Sequence, residues 1–233
     1  MTWRALALLL CCPLASAQQA DGNYHAHSGH EMAEDPQITS LLADRLEAQP
    51  HAGSAVAAWD VRLWTGTDRG RWQLRSEGHQ GGGSDPTDAT WDLSWGRPVT
   101  AWMTASVGLV ADREMERGHS GVQLGLDGVL PYRVHLQSGL WLMSGGEAAL
   151  RIELEHDLLV TQHLVMQPRV ESRLWTDGSR SAQLGLRLRY ELRRELAPYL
   201  GVSRQWIAPS SFGMPSSRAD DGWQAVLGLR AWF

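Results

Sequence analysis

Apolar residues recur at every second position through the last third of this chain: in Arg151-Ile152-Glu153-Leu154-Glu155, in Leu184-Gly185-Leu186-Arg187-Leu188-Arg189-Tyr190, and from Trp223 to Phe233. A period of two sends alternate side chains to opposite faces of a strand, so one face is greasy and the other carries Arg and Glu. A wall of that kind suits lipid outside and water or ion pairs inside. It is the pattern of an all-β, antiparallel transmembrane β-barrel of the bacterial outer membrane. The mean hydropathy of -0.29 would by itself suggest a soluble protein. Barrel strands escape that test, because each dilutes its lipid-facing residues with as many polar, lumen-facing ones.

The start of the chain reads as an export signal. Arg4 precedes the apolar run Ala5 to Leu14, and Ala15-Ser16-Ala17 offers small residues for cleavage after Ala17. Cys11 and Cys12 both fall in this segment, so the mature protein is expected to have no thiol, disulfide or thiolate metal site. Residues 18–37 form a short polar tail without periodicity, expected to be disordered and periplasmic, with Asn23-Tyr24-His25-Ala26-His27-Ser28-Gly29-His30-Glu31-Met32 within it. No apolar run after the signal approaches the roughly 18 residues of a spanning helix.

From Ile38 to Phe233 strand-like segments alternate with punctuation, near 38–48, 55–65, 69–78, 88–97, 101–111, 120–129, 132–143, 147–157, 162–174, 181–192, 197–207 and 222–233. That is about twelve strands, the even number such barrels have. The connections support the count. Polar stretches Gln49–Ser54, His79–Thr87, Asp112–His119 and Pro209–Asp221 alternate with tight turns such as Gly66–Asp68, Pro98–Thr100, Leu130-Pro131 and Arg193–Leu196. Long loops on one rim and short turns on the other place both termini on the periplasmic side. Ser144–Gly146 breaks the rule, being external by parity yet short.

Parity also assigns the lumen. It directs Arg71, Arg75, Glu77, Arg151, Glu153, Glu155, Asp157, Arg169, Glu171, Arg173, Arg187, Arg189 and Glu191 inward. A narrow lumen filled by mutually satisfying charges is the simplest account of so many. Trp72, Trp91, Trp102, Trp175 and Trp223 read as anchors at the membrane interface. The last strand places Trp223, Ala225, Leu227, Leu229, Ala231 and Phe233 on one face and ends in an aromatic, as does the signal read by the barrel-assembly machinery.

Several function classes drop out. The formal net charge of -5 argues against a nucleic-acid partner, and all 21 basic side chains are Arg. The chain has no nucleophile elbow, no phosphate-cradling Gly loop and no metal-ligand pair spaced for a helix, so a non-enzyme without a tightly bound organic cofactor is expected. The tail could hold a metal. Imidazole nitrogen and thioether sulfur both ligate transition metals, so His25, His27, His30 and Met32 offer a mixed donor set. His135 and His163 each begin a strand at the periplasmic end with lumen parity, and they could receive the ion there. Met115, His119, His79 and Met214 fall in connections assigned to the outside.

The segments themselves resemble a known family. Trp59-Asp60, Trp64-Thr65-Gly66-Thr67-Asp68-Arg69-Gly70-Arg71-Trp72-Gln73-Leu74-Arg75-Ser76-Glu77-Gly78, Leu42-Ala43-Asp44-Arg45-Leu46-Glu47 and Ala149-Leu150-Arg151-Ile152-Glu153-Leu154-Glu155-His156-Asp157-Leu158-Leu159 are similar to copper resistance protein B, the outer-membrane member of bacterial copper resistance systems. So are Leu164-Val165-Met166-Gln167-Pro168-Arg169-Val170-Glu171, the stretch Leu184 to Tyr199 and the closing Arg230-Ala231-Trp232-Phe233. The resemblance implies a barrel that protects the cell from copper, with a His- and Met-rich leader binding the ion. The leader here is short, with three His and one Met rather than long repeated runs. Three readings follow: a barrel that binds copper and sequesters or transports it, a structural or porin-like barrel without metal handling, and a copper-binding scaffold that docks a periplasmic multicopper oxidase. Outer-membrane lipid is a partner in all three.

Overall fold

The structure, a computed structural model, describes residues 35–51, 54–80, 87–114, 117–193, 195–208 and 223–233. Twelve antiparallel strands follow one another around a closed wall: β1 (Ile38–His51), β2 (Ser54–Thr67), β3 (Gly70–Gln80), β4 (Thr87–Pro98), β5 (Met103–Glu114) and β6 (Arg117–Leu130). The wall continues with β7 (Val134–Met143), β8 (Ala148–His156), β9 (Leu164–Trp175), β10 (Arg180–Tyr190), β11 (Leu196–Ala208) and β12 (Trp223–Trp232). Past Asp157, Leu158–Leu159 prolongs β8 and pairs with β9. Each strand pairs with its sequence neighbours, and β1 pairs with both β2 and β12, which leaves no free edge. Closure matters in lipid, where an unpaired backbone group has no water to turn to. The seam is completed by Leu41 and Phe233, each donating its backbone N–H to the other's carbonyl at 2.9 and 2.8 Å.

The alternation read from the sequence is realised strand by strand. On β10, Leu184, Leu186 and Leu188 face outward and exposed, while Arg187 and Arg189 are buried in the lumen. An exposed apolar girdle of this size would be a liability in water, and in a bilayer it is the contact surface. Trp72, Trp91, Trp102 and Trp223 lie on the outer surface as expected. Trp175 does not. It turns inward onto Trp141, edge to face with centroids 6.3 Å apart, against an apolar cluster of Val110, Met143 and Ala149. The inner face therefore carries apolar as well as polar side chains, with Val110, Trp141, Met143 and Ala149 all buried there.

The loop-length rule holds less well than the sequence suggests. Instead of ending at Ala48, β1 runs to His51, and β2 resumes at Ser54; β5 runs to Glu114, and β6 resumes at Arg117. Two of the expected long external loops are thus mostly strand. Backbone ladder bonds are indifferent to side-chain polarity, so the polar residues mark where the bilayer ends rather than where the strand ends. The other two expected external stretches, His79–Thr87 and Pro209–Asp221, fall mostly on 81–86 and 209–222, outside the described residues. The short connections 144–147 and 176–179 are hairpins in which Gly146 and Gly178, at φ 83° and 88°, donate back to Met143 and Trp175.

One strand departs from period two. Against β2, the register of β1 shifts between Ala43 and Arg45, and against β12 between Ala43 and Leu46. This β-bulge inserts an extra residue, so the consecutive Asp44 and Arg45 are both buried.

Candidate functional site

The lumen holds a continuous network of charges, built by the inward positions of β1–β3 and β8–β12. Asp60, fully buried, receives Arg75 through two bonds of 3.0 and 2.7 Å, and Arg62 adds two at 3.4 and 3.2 Å. Glu153, 1% exposed, faces Arg169 at 2.7 Å, Arg151 at 2.9 Å and Arg75 at 3.5 Å. Glu77 meets Arg75 and Arg151 at 2.8 Å and Arg173 at 3.0 Å, and Glu171 joins Arg151 and Arg169. Every carboxylate here touches at least two guanidiniums, as burial of charge demands. The inward residues expected from parity all line this interior. Asp44, Glu47, Asp60, Arg62 and Arg230 were missed, although the alternation Asp60-Val61-Arg62 carried the signal for two of them.

The seam has its own polar lock. Glu47 accepts a hydrogen bond from the Tyr199 hydroxyl at 3.0 Å and pairs with Arg187 at 2.8 Å, while Arg187 stacks over the Tyr199 ring. Tyr199 lies across Gly228 of β12, where a Cβ would come within 2.3 Å of the ring. Glycine is required there because the ring occupies the space. Gly228→Val should therefore lower stability by about 1–3 kcal/mol, the usual cost of overpacking, measured as an earlier loss of the heat-modifiable folded form. Wild-type stability would show that Tyr199 is free to leave.

Opposite this network the lumen is open. A cavity of about 200 Å³ runs along β3–β7, where the wall is made of Ser94, Ser106, Gly125, Ser138 and Gly139, and Arg71, Asp92 and Asp127 border it. A second cavity of about 330 Å³ opens at the rim that carries the termini, among Ser40, Arg189, Glu191, Arg230 and Trp232. Leu42 and Trp64 line both, so the two spaces adjoin.

The histidines are dispersed. His25, His27, His30 and Met32 lie outside the described residues, as do Met115 and Met214. His135 and His163 are both exposed at the terminal rim, and the register keeps them apart. His135 pairs with Glu155, which pairs with Arg169, and His163 stands six residues before Arg169. At about 3.3 Å per residue this is a separation on the order of 20 Å along the strand. His163 sits at the tip of the β8–β9 hairpin, its ring 6.2 Å from that of Tyr190. The two imidazoles do not share one ion. His156, which the sequence reading passed over, shares this rim, its Nδ1 3.3 Å from the Arg133 carbonyl. On the opposite rim His79 contacts Asp88 at 3.1 Å, and His119 belongs to β6. Among the described residues, no group of three or more His, Cys, Asp or Glu is arranged to hold a metal ion.

Comparison with known proteins follows the barrel closely. The family described as "Copper resistance protein B precursor (CopB)" matches residues 37–233. Copper resistance protein B of Escherichia coli is 32% identical over 230 residues, covering 94% of this chain and 76% of that protein. The copper resistance protein B homolog of Pseudomonas syringae pv. tomato is 30% identical over 234 residues, covering 95% and 78%. Among solved structures, the NanC porin superposes with a TM-score of 0.52 at 10% identity, covering 84% of this chain and 99% of that one, a likeness of fold alone.

Proposed function

The chain belongs to the copper resistance protein B family of the outer membrane, and from that premise we propose that it binds copper ions and sequesters or carries them across that membrane. The observation that carries the reading is the extent of the match, which takes in all twelve strands. An even strand number brings both ends of the barrel to one rim, which we assign to the periplasm. The tail ligands His25, His27, His30 and Met32 then collect copper on that side. His135 and His163, lying apart, act as separate contacts at the same rim rather than as one chelate. The carboxylates of the network are committed to arginine and are poor copper ligands besides.

The test is metal analysis of the purified mature protein with and without residues 18–37. Replacing His25, His27 and His30 with Ala should lower bound copper while heat-modifiable migration stays normal. Imidazole coordinates as the neutral base, so copper held by the tail should fall as pH drops through the ordinary histidine range near about 6.5. Replacing His135 and His163 should reduce copper tolerance with the tail intact. Unchanged copper content and tolerance in both variants, at equal outer-membrane abundance, would remove these residues from the account. Copper binding without flux in liposomes would favour the scaffold that docks a periplasmic multicopper oxidase, and no binding at all would favour a porin-like barrel.

A further inference from the structure

Most charges of the lumen neutralise one another, yet three that border the open cavity do not. Arg71 has no carboxylate within ion-pair distance among the described residues; its guanidinium lies 5.5 Å above the Trp64 ring. Asp92 accepts one hydrogen bond, from Ser94 at 3.3 Å, and neither Asp92 nor Asp127 has an ion pair among the described residues. All three border the same space of about 200 Å³, together with Arg62, Arg75 and Arg151 of the network, whose charges are met by Asp60, Glu77 and Glu153.

Their order along the wall is set by register. Arg71 pairs with Gly96, Gly96 with Ser106, Ser106 with Gly125 and Gly125 with Gly139, so one row across β3–β7 bears a single long side chain. Asp127 stands two residues from Gly125 toward the terminal rim, and Asp92 four residues from Gly96 in the other direction. Arg71, Asp92 and Asp127 thus stand apart on one wall of the cavity, and Trp64 and Leu42 lie where the two cavities adjoin. A bare cation is repelled by Arg71 and an anion by both Asp residues. The complement of this wall carries two positive charges and one carboxylate.

We propose that this cavity binds and passes small solutes that join a carboxylate to a cationic centre, an α-amino acid alone or one chelating Cu(II), with Arg71 taking the carboxylate and Asp92 and Asp127 the cation. L-lysine has this charge set, and so does the Cu(II) monoglycinate cation, whose chelating carboxylate keeps an oxygen free to accept from a guanidinium. Only the copper form rests on the copper-handling reading above.

The experiment is uptake into liposomes containing the purified barrel, with L-lysine, lysine amide and acetate as probes. Lysine should enter about ten-fold faster than either, the scale of one charge-assisted hydrogen-bonded contact. Arg71→Gln should abolish the preference for lysine over its amide. Asp92→Asn with Asp127→Asn should slow lysine and the amide together and spare acetate. None of the three residues holds the ion-pair network, so heat-modifiable folding should survive in each variant. No uptake above protein-free liposomes, equal rates for all probes, or a preference that persists in Arg71→Gln would overturn the proposal. A parallel comparison of Cu(II) with and without one equivalent of glycine separates the sources: acceleration by glycine identifies the chelate, and lysine selectivity without it identifies the free amino acid.

Discussion

Glu153→Gln is expected to destabilise the barrel by about 3–5 kcal/mol, the cost of removing one partner from a buried ion-pair cluster. The change preserves side-chain size but removes the charge shared by Arg169, Arg151 and Arg75 at 2.7, 2.9 and 3.5 Å. Arg151 and Arg169 keep Glu171, and Arg75 keeps Asp60, so the barrel should still form, with a lower midpoint of denaturant-induced loss of the heat-modifiable species. Adding Arg169→Met should recover part of the loss, because it takes away a positive charge that the first substitution strands. A single variant within about 1 kcal/mol of wild type would mean that water in the lumen screens this cluster as it would at a surface.

Deletion of Phe233 should lower the amount of assembled protein several-fold. Its backbone supplies both hydrogen bonds to Leu41 at the closing seam, together worth about 1–3 kcal/mol, and a loss of that size changes cellular abundance several-fold. The terminal aromatic also carries the resemblance to the assembly signal. Phe233→Ala separates the two roles, since it retains the seam bonds and discards the ring. Normal abundance of the truncated protein would show that neither role limits assembly. A defect equal in both variants would assign the effect to the ring.

Twelve strands were legible in the sequence, with boundaries close to those observed, because the side-chain period of an extended chain is two and does not depend on neighbouring strands. The same period sent Arg75, Glu77, Arg151, Glu153, Arg169 and Arg187 to the interior. The strings shared with copper resistance protein B were equally visible, since they need no third dimension.

Four features were decided by the tertiary structure. Strand ends at His51 and Glu114 exceed the apolar stretches because ladder hydrogen bonds continue into water. The bulge that buries both Asp44 and Arg45 is a relation between β1 and its two partners, invisible in any one strand. Trp175 was assigned to the membrane interface on residue type alone, but its position on β9 turns it onto Trp141. His135 and His163 share parity and a rim, while the register that sets their distance is a property of the paired strands. Period two in the sequence thus determined which face of the wall each side chain occupies. Which charges pair across the lumen, and which are left facing the open cavity, depends on stagger and closure, and these exist only once all twelve strands have met.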